Sequence, residues 1–156
     1  MKIKHLLSLI VLGIMLSSCK EEMKFQPPAP TPQKTDSMFV LVIQGDTFKA
    51  TMSDNQTAEA FAEMMPLTLP MKDLNANEKY HYIDQQLPSN PVAVRTVKAG
   101  DIMLYGNSCI VLFYKDLTTP YEYTKIGQIT NTSRLTEAVG AGNVEVAFDV
   151  KAKEEN

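Results

Sequence analysis

Few side chains in this sequence carry the chemistry that an active site needs. The 156-residue chain holds two histidines, two cysteines and no tryptophan. His5 falls just before the apolar N-terminal stretch, which leaves His81 as the one imidazole for the rest of the chain. A zinc site around it would draw its other ligands from carboxylates, a poor match to the nitrogen and sulfur donors of most zinc sites. A Ser-His-Asp relay would have to run through His81, and no nucleophile elbow accompanies it. There is no glycine-rich phosphate loop. Cys109 opens the apolar run Ile110-Val111-Leu112-Phe113, where a thiol is expected to be buried and free. These residues assign no catalytic group, no metal and no cofactor. The tyrosines offer a different chemistry. Tyr80, Tyr82, Tyr105, Tyr114, Tyr121 and Tyr123 each join an apolar ring to a polar tip. That combination suits either the rim of a core or a surface for a protein, peptide or glycan. Tyr80, His81, Tyr82 and Tyr105 mark the candidate ligand surface.

The N-terminus carries a different kind of chemistry. Lys2 and Lys4 precede an apolar stretch from Leu6 to Leu16. Crossing a bilayer takes about 20 apolar residues, so this stretch is too short and reads as a secretory signal. It ends in Leu16-Ser17-Ser18-Cys19. That tetrad resembles the lipobox of bacterial lipoproteins, in which signal peptidase II cuts before the cysteine and the cysteine is acylated. The resemblance implies lipid on Cys19 as the link to a membrane. Several acyl chains on one residue give stable anchoring, where a single chain is marginal. The following Lys20-Glu21-Glu22 resembles the acidic export signal that carries some Gram-negative lipoproteins to the outer face of the outer membrane. The expected location is the outer membrane, lipid-anchored, on the cell surface or the periplasmic face.

Four parts are expected in order: a signal peptide (1–18), the lipidated cysteine with a disordered tether (19–37), a folded domain (38–150) and a charged tail (151–156). Pro27, Pro28, Pro30 and Pro32 crowd the tether and favour an extended polyproline II path. Such a path reaches up to roughly 50 Å. Cleavage would remove only Lys2 and Lys4 from the 15 basic residues and none of the 18 acidic ones. A mildly acidic chain without a basic cluster argues against a nucleic-acid partner and against electrostatic adhesion to anionic lipid. With Cys19 acylated, Cys109 has no partner for an internal disulfide.

The elements that must position the tyrosines are mostly strands. Phe39–Ile43 is apolar and β-branched, Gly45-Asp46 breaks it, and Thr47–Met52 alternates, which predicts a hairpin. Ala58, Phe61, Ala62 and Met65 recur at helical spacing, so a helix capped by Asp54 or Asn55 is expected to run to Met65 and stop at Pro66. Leu67–Met71 reads as a strand, Asn75–Glu78 as a turn, and Tyr80–Ile83 as extended. Leu87–Thr96 reads as a long polar loop. Strands are expected at Ile102–Tyr105, Cys109–Tyr114, Tyr123–Thr130 and Asn143–Val150. A second short helix, Thr132–Val139, is expected to be capped by Thr132 or Asn131 and closed by Gly140 and Gly142. Seven or eight short strands with two small helices predict a mostly β fold closed into a barrel.

The order of several segments is more specific. Ile43-Gln44-Gly45-Asp46-Thr47-Phe48-Lys49-Ala50-Thr51 leads into Asp54-Asn55-Gln56-Thr57-Ala58-Glu59-Ala60-Phe61. Met65-Pro66-Leu67-Thr68-Leu69, Met71-Lys72-Asp73-Leu74, Gly100-Asp101-Ile102, Leu112-Phe113-Tyr114-Lys115-Asp116 and Lys125-Ile126-Gly127-Gln128-Ile129 follow. Over residues 39–150 this order resembles the small bacterial cyclophilin-like family. The resemblance implies a closed eight-stranded β-barrel with one or two short capping helices. The family's aromatic, Pro- and Gly-bearing turn before the Phe-Tyr strand is reduced here to Gly106-Asn107-Ser108. True cyclophilins isomerise prolyl bonds with an arginine on a strand comparable to Lys79-Tyr80-His81-Tyr82-Ile83, which has none. Arg95 and Arg134 fall elsewhere in the pattern. The expected role is therefore a non-enzymatic, membrane-tethered binding domain, with a divergent peptidyl-prolyl isomerase as the alternative.

Overall fold

The computed structural model describes residues 37–150. Cys19, Lys20, Glu21, Glu22, the tether through residue 36 and the tail from Lys151 lie outside the described residues. Within them the chain runs β1 (Met38–Ile43), β2 (Asp46–Met52), α1 (Gln56–Ala62), β3 (Leu67–Leu74), β4 (Glu78–Tyr82), β5 (Val92–Ala93) and β6 (Thr96–Val97). It continues with β7 (Asp101–Tyr105), β8 (Cys109–Phe113), β9 (Leu117–Thr118), β10 (Glu122–Ile129), α2 (Leu135–Val139) and β11 (Val144–Val150).

Eight strands pair in the order β2-β1-β11-β3-β4-β8-β7-β10, and β10 returns to β2, so the sheet closes. Every pairing is antiparallel. The expected closed eight-stranded barrel is therefore the observed one. Alternation explains its lining: Phe39, Leu41 and Ile43 of β1, Leu69 and Met71 of β3, and Val144, Val146 and Phe148 of β11 all turn inward and are buried. Val150, next in the same alternation, is 49% exposed where β11 runs out of the barrel.

Two helices close opposite ends. α1 sets Phe61 edge-on to Phe148, ring centroids 5.3 Å apart, near the end of β11. Asn55 caps it, its side-chain oxygen accepting from the Ala58 N–H at 2.9 Å. The helix stops at Ala62 rather than Met65. The N–H groups of Met64 and Met65 bond three residues back, to Phe61 and Ala62, and tighten the last turn ahead of Pro66. α2 leads into the start of β11 and buries Leu135, Ala138 and Val139. It is shorter than expected and begins after Arg134, with no side-chain cap. Asn131 instead accepts from the Ser133 N–H, and Thr132 O accepts from the Leu135 N–H, so these residues build the turn before the helix.

A second apolar layer covers part of the outer wall. The outward side chains Met103, Cys109, Val111, Phe113 and Tyr123 form a buried cluster with Val97, and Tyr80, Val94 and Leu117 pack against it. All five residues of β8 are buried because the strand has core on both faces. The covering comes from the segment whose sequence reads as a long polar loop. It holds two short strands: β5 adds to β10, and β6 pairs with β9.

Candidate functional site

The outward side chains of β4, β8, β7 and β10 build a cleft of about 300 Å³ next to this second layer. Cys109 and Val111 of β8 form its floor. In the strand register Cys109 stands between Tyr82 of β4 and Tyr105 of β7, and Val111 stands beside Tyr80. Tyr80 and Tyr82 make one wall, their rings edge to face at 6.0 Å. Tyr105, Tyr121 and Tyr123 make the other, with Tyr105 at 5.8 Å from Tyr121 and 5.6 Å from Tyr123. Tyr123 rests in turn against Phe113 at 5.5 Å, so this wall is tied into the buried layer. Leu74 and Glu78 close the remaining side. Tyr82 is 60% exposed, Tyr121 56% and Tyr105 41%, so three aromatic faces remain available to a ligand.

Burial sets the electrostatics. Desolvation pushes the Cys109 thiol up to about 11, the hydroxyl of Tyr82 pulls it partly back, and the charge of Glu78 raises it further. The Tyr82 hydroxyl is raised, chiefly by the neighbouring Cys109. Burial raises Tyr123, and it raises the carboxyl of Glu78. A neutral thiol is a weak nucleophile, and its neighbours in the strand register are Tyr82 and Tyr105. The lining is suited to hold a ligand by ring faces, hydroxyl tips and one carboxylate.

The structure thus brings Tyr80, Tyr82 and Tyr105 together. His81 occupies the intervening strand position and does not line the cleft. Its Nδ1 lies 3.0 Å from the Pro70 carbonyl oxygen, and with Lys72, Tyr80 and Tyr82 it borders a smaller hollow of about 150 Å³. Tyr121 and Tyr123 complete the opposite wall. Tyr114 belongs elsewhere: its hydroxyl donates to Asp73 at 2.7 Å at the barrel end near α2. Glu78, which the sequence pattern puts in a turn, is the first residue of β4, and the strand starts two residues earlier than expected. The period-two spacing Glu78, Tyr80, Tyr82 is the signal that marks it. Arg134 pairs with Asp46 at 2.9 Å, and neither it nor Arg95 lines the cleft. Among the described residues no three His, Cys, Asp or Glu side chains converge in a way that would hold a metal ion.

A closed antiparallel barrel with a helix at each end is the cyclophilin type of architecture. The chain belongs to the cyclophilin-like family, whose model matches residues 41–149. No curated protein matches the sequence. Among solved structures it is similar to McbB, determined in complex with tryptophan, with TM-score 0.60 and 15% identity over 76% of this chain. The match spans 46% of McbB, so this chain corresponds to under half of that protein. It is also similar to a hypothetical protein from Archaeoglobus fulgidus, with TM-score 0.51 and 17% identity, over 77% of this chain and 99% of that one.

Proposed function

We propose that this chain is a lipid-anchored envelope lipoprotein whose cyclophilin-like barrel is a binding domain, with the tyrosine cleft as its ligand surface. One observation carries the binding reading. Five tyrosines from three parts of the chain converge on a single concave surface, and three of them keep exposed rings. Large, stiff side chains that join apolar area to a hydroxyl are the types enriched where proteins recognise partners. The lipoprotein reading rests on Leu16-Ser17-Ser18-Cys19 and the short apolar stretch before it. The outer membrane is the favoured location, on Lys20-Glu21-Glu22.

Each half has its own test. Cys19→Ala should abolish fatty-acid labelling and leave unprocessed precursor; labelling that survives the change sinks the lipid anchor. For the cleft, a photo-reactive amino acid at position 105 or 121 should give a reproducible cross-linked partner on intact cells. The same probe at exposed Glu145, on the far strand β11, should not. Equal capture from both positions overturns the assignment. The isomerase alternative predicts faster turnover of proline peptides in a protease-coupled assay. The binding reading predicts rates equal to the uncatalysed reaction.

A further inference from the structure

The lining of the tyrosine cleft is electrically one-sided. Nine side chains surround it, Glu78 is its only formal charge, and no lysine or arginine is among them. Glu78 is half-buried, and its carboxylate makes no hydrogen bond or ion pair among the described residues. Elsewhere in the barrel, acids in comparable settings have partners. Asp73 holds Lys79 and Tyr114, Asp101 pairs with Lys125, and Asp46 holds Arg134. A desolvated carboxylate without a partner is costly, and burial raises its pKa accordingly. Around it stand tyrosine rings, whose faces are electron-rich and attract cations. The surface continues past Tyr105 and Tyr121 into a second hollow lined by Pro91, Gly106, Pro120 and Glu122, which again has an acid and no base.

From this arrangement we infer that the cleft takes the lysine or arginine side chain of a basic peptide, the cationic head meeting Glu78 and the alkyl stem lying on Val111 and Cys109 between the tyrosine walls. This rests on the binding reading given above and adds the chemistry of the ligand. The shape supports it: a stem of methylenes needs an apolar floor, and the head needs a counter-charge at the floor's end. A small ammonium ion would satisfy Glu78 and leave the floor uncovered. The second hollow leaves room for residues flanking the anchored side chain.

The absence of tryptophan makes tyrosine the source of intrinsic emission, and five of the six tyrosines line the cleft. The full-length chain, held in detergent, can therefore be titrated directly. Three probes suffice: pentaglycine-type peptides, blocked at both ends, carrying at the centre lysine, arginine, or norleucine as the neutral isostere. The lysine or the arginine peptide should bind about tenfold or more tighter than the norleucine peptide. Glu78→Gln should remove that preference by weakening the lysine and arginine peptides to the level of the norleucine peptide. Raising salt should weaken the cationic probe alone. If norleucine binds as tightly as both basic peptides, the cationic ligand is wrong while the cleft survives as a binding surface. Unchanged emission with all three peptides removes the cleft reading as well. The wild-type comparison stands by itself should Glu78→Gln fail to fold.

Discussion

Lys79 is fully buried, yet it is the best-partnered charge in the barrel. Its Nζ donates to Asp73 at 2.7 Å and to the carbonyl oxygens of Gly140 and Gly142 at 2.9 and 2.6 Å. It thereby ties β4 to the end of β3 and to the turn that follows α2. Removing one partner of such a set strands the others. Lys79→Met should cost about 3 kcal/mol in urea unfolding, less than a fully buried pair would because Asp73 is 22% exposed. Adding Asp73→Asn should recover part of that loss. The same cluster sets an acid limit. Hydrogen bonds from Lys79, then Tyr114, hold the Asp73 carboxyl below its ordinary value of 3.8. A depressed folded pKa contributes stability that is complete above the ordinary value and is lost as pH falls through the lowered one. Stability should therefore fall with acid below about pH 4 by an amount that Asp73→Asn no longer shows. An equal acid loss in the variant would assign the effect to other carboxylates.

At the scale of the element, the closing strand β10 has one position with no room for a side chain. Gly127 pairs with Met52 of β2 and with Ile102 of β7, at the register shift between Lys125 and Gly127. A Cβ there would lie 2.5 Å from the Thr51 carbonyl oxygen and 2.9 Å from a ring carbon of Phe39. Both are contacts that must move, and one is backbone. Gly127→Ala should lower stability by about 2 kcal/mol, measured as a shift in the unfolding midpoint with the slope preserved. Gly45→Ala serves as the comparison, because a Cβ at that turn would meet nothing within 4 Å; its own cost comes from the positive φ of 88°. The strands themselves were legible because period-two burial leaves a pattern in β1, β2, β3 and β11. The strands β5, β6 and β9 were not, since two residues carry no period and tertiary pairing alone makes them strands. The cleft was half legible. Tyr80 and Tyr82 came from local spacing, while the meeting of Tyr105 with Tyr121 and Tyr123 in the second wall, and the place of Glu78, depend on the strand order and on where β4 begins. Lys79 was invisible for the same reason: nothing local marks a lysine two of whose three partners lie 61 and 63 residues away.

The whole domain holds two apolar clusters of different depth, and that division makes a kinetic prediction. The larger fills the barrel and includes Leu112 and Ile110. The smaller lies outside the wall, under β5, β6 and β9, and includes Val97 and Cys109. Few backbone pairs hold its cover, since β6 and β9 pair over two residues only. Such a cover should open locally at lower free energy than the barrel unfolds. Cys109 reports that opening. It is 3% exposed, with a thiol pushed up to about 11, so at neutral pH its alkylation should be at least about a hundredfold slower than that of an unperturbed thiol. In a Cys19→Ser background, Val97→Ala should speed this labelling by about tenfold or more and move the global midpoint little. Leu112→Ala should do the reverse, lowering global stability by about 3 kcal/mol with a smaller effect on labelling under native conditions. Parallel changes in both measurements for both variants would mean that the outer layer and the barrel unfold as one unit. The tyrosine cleft sits on this boundary, with Cys109 and Val111 as its floor. A ligand seated there should slow Cys109 labelling more than it raises the global midpoint, because it braces the layer that opens first.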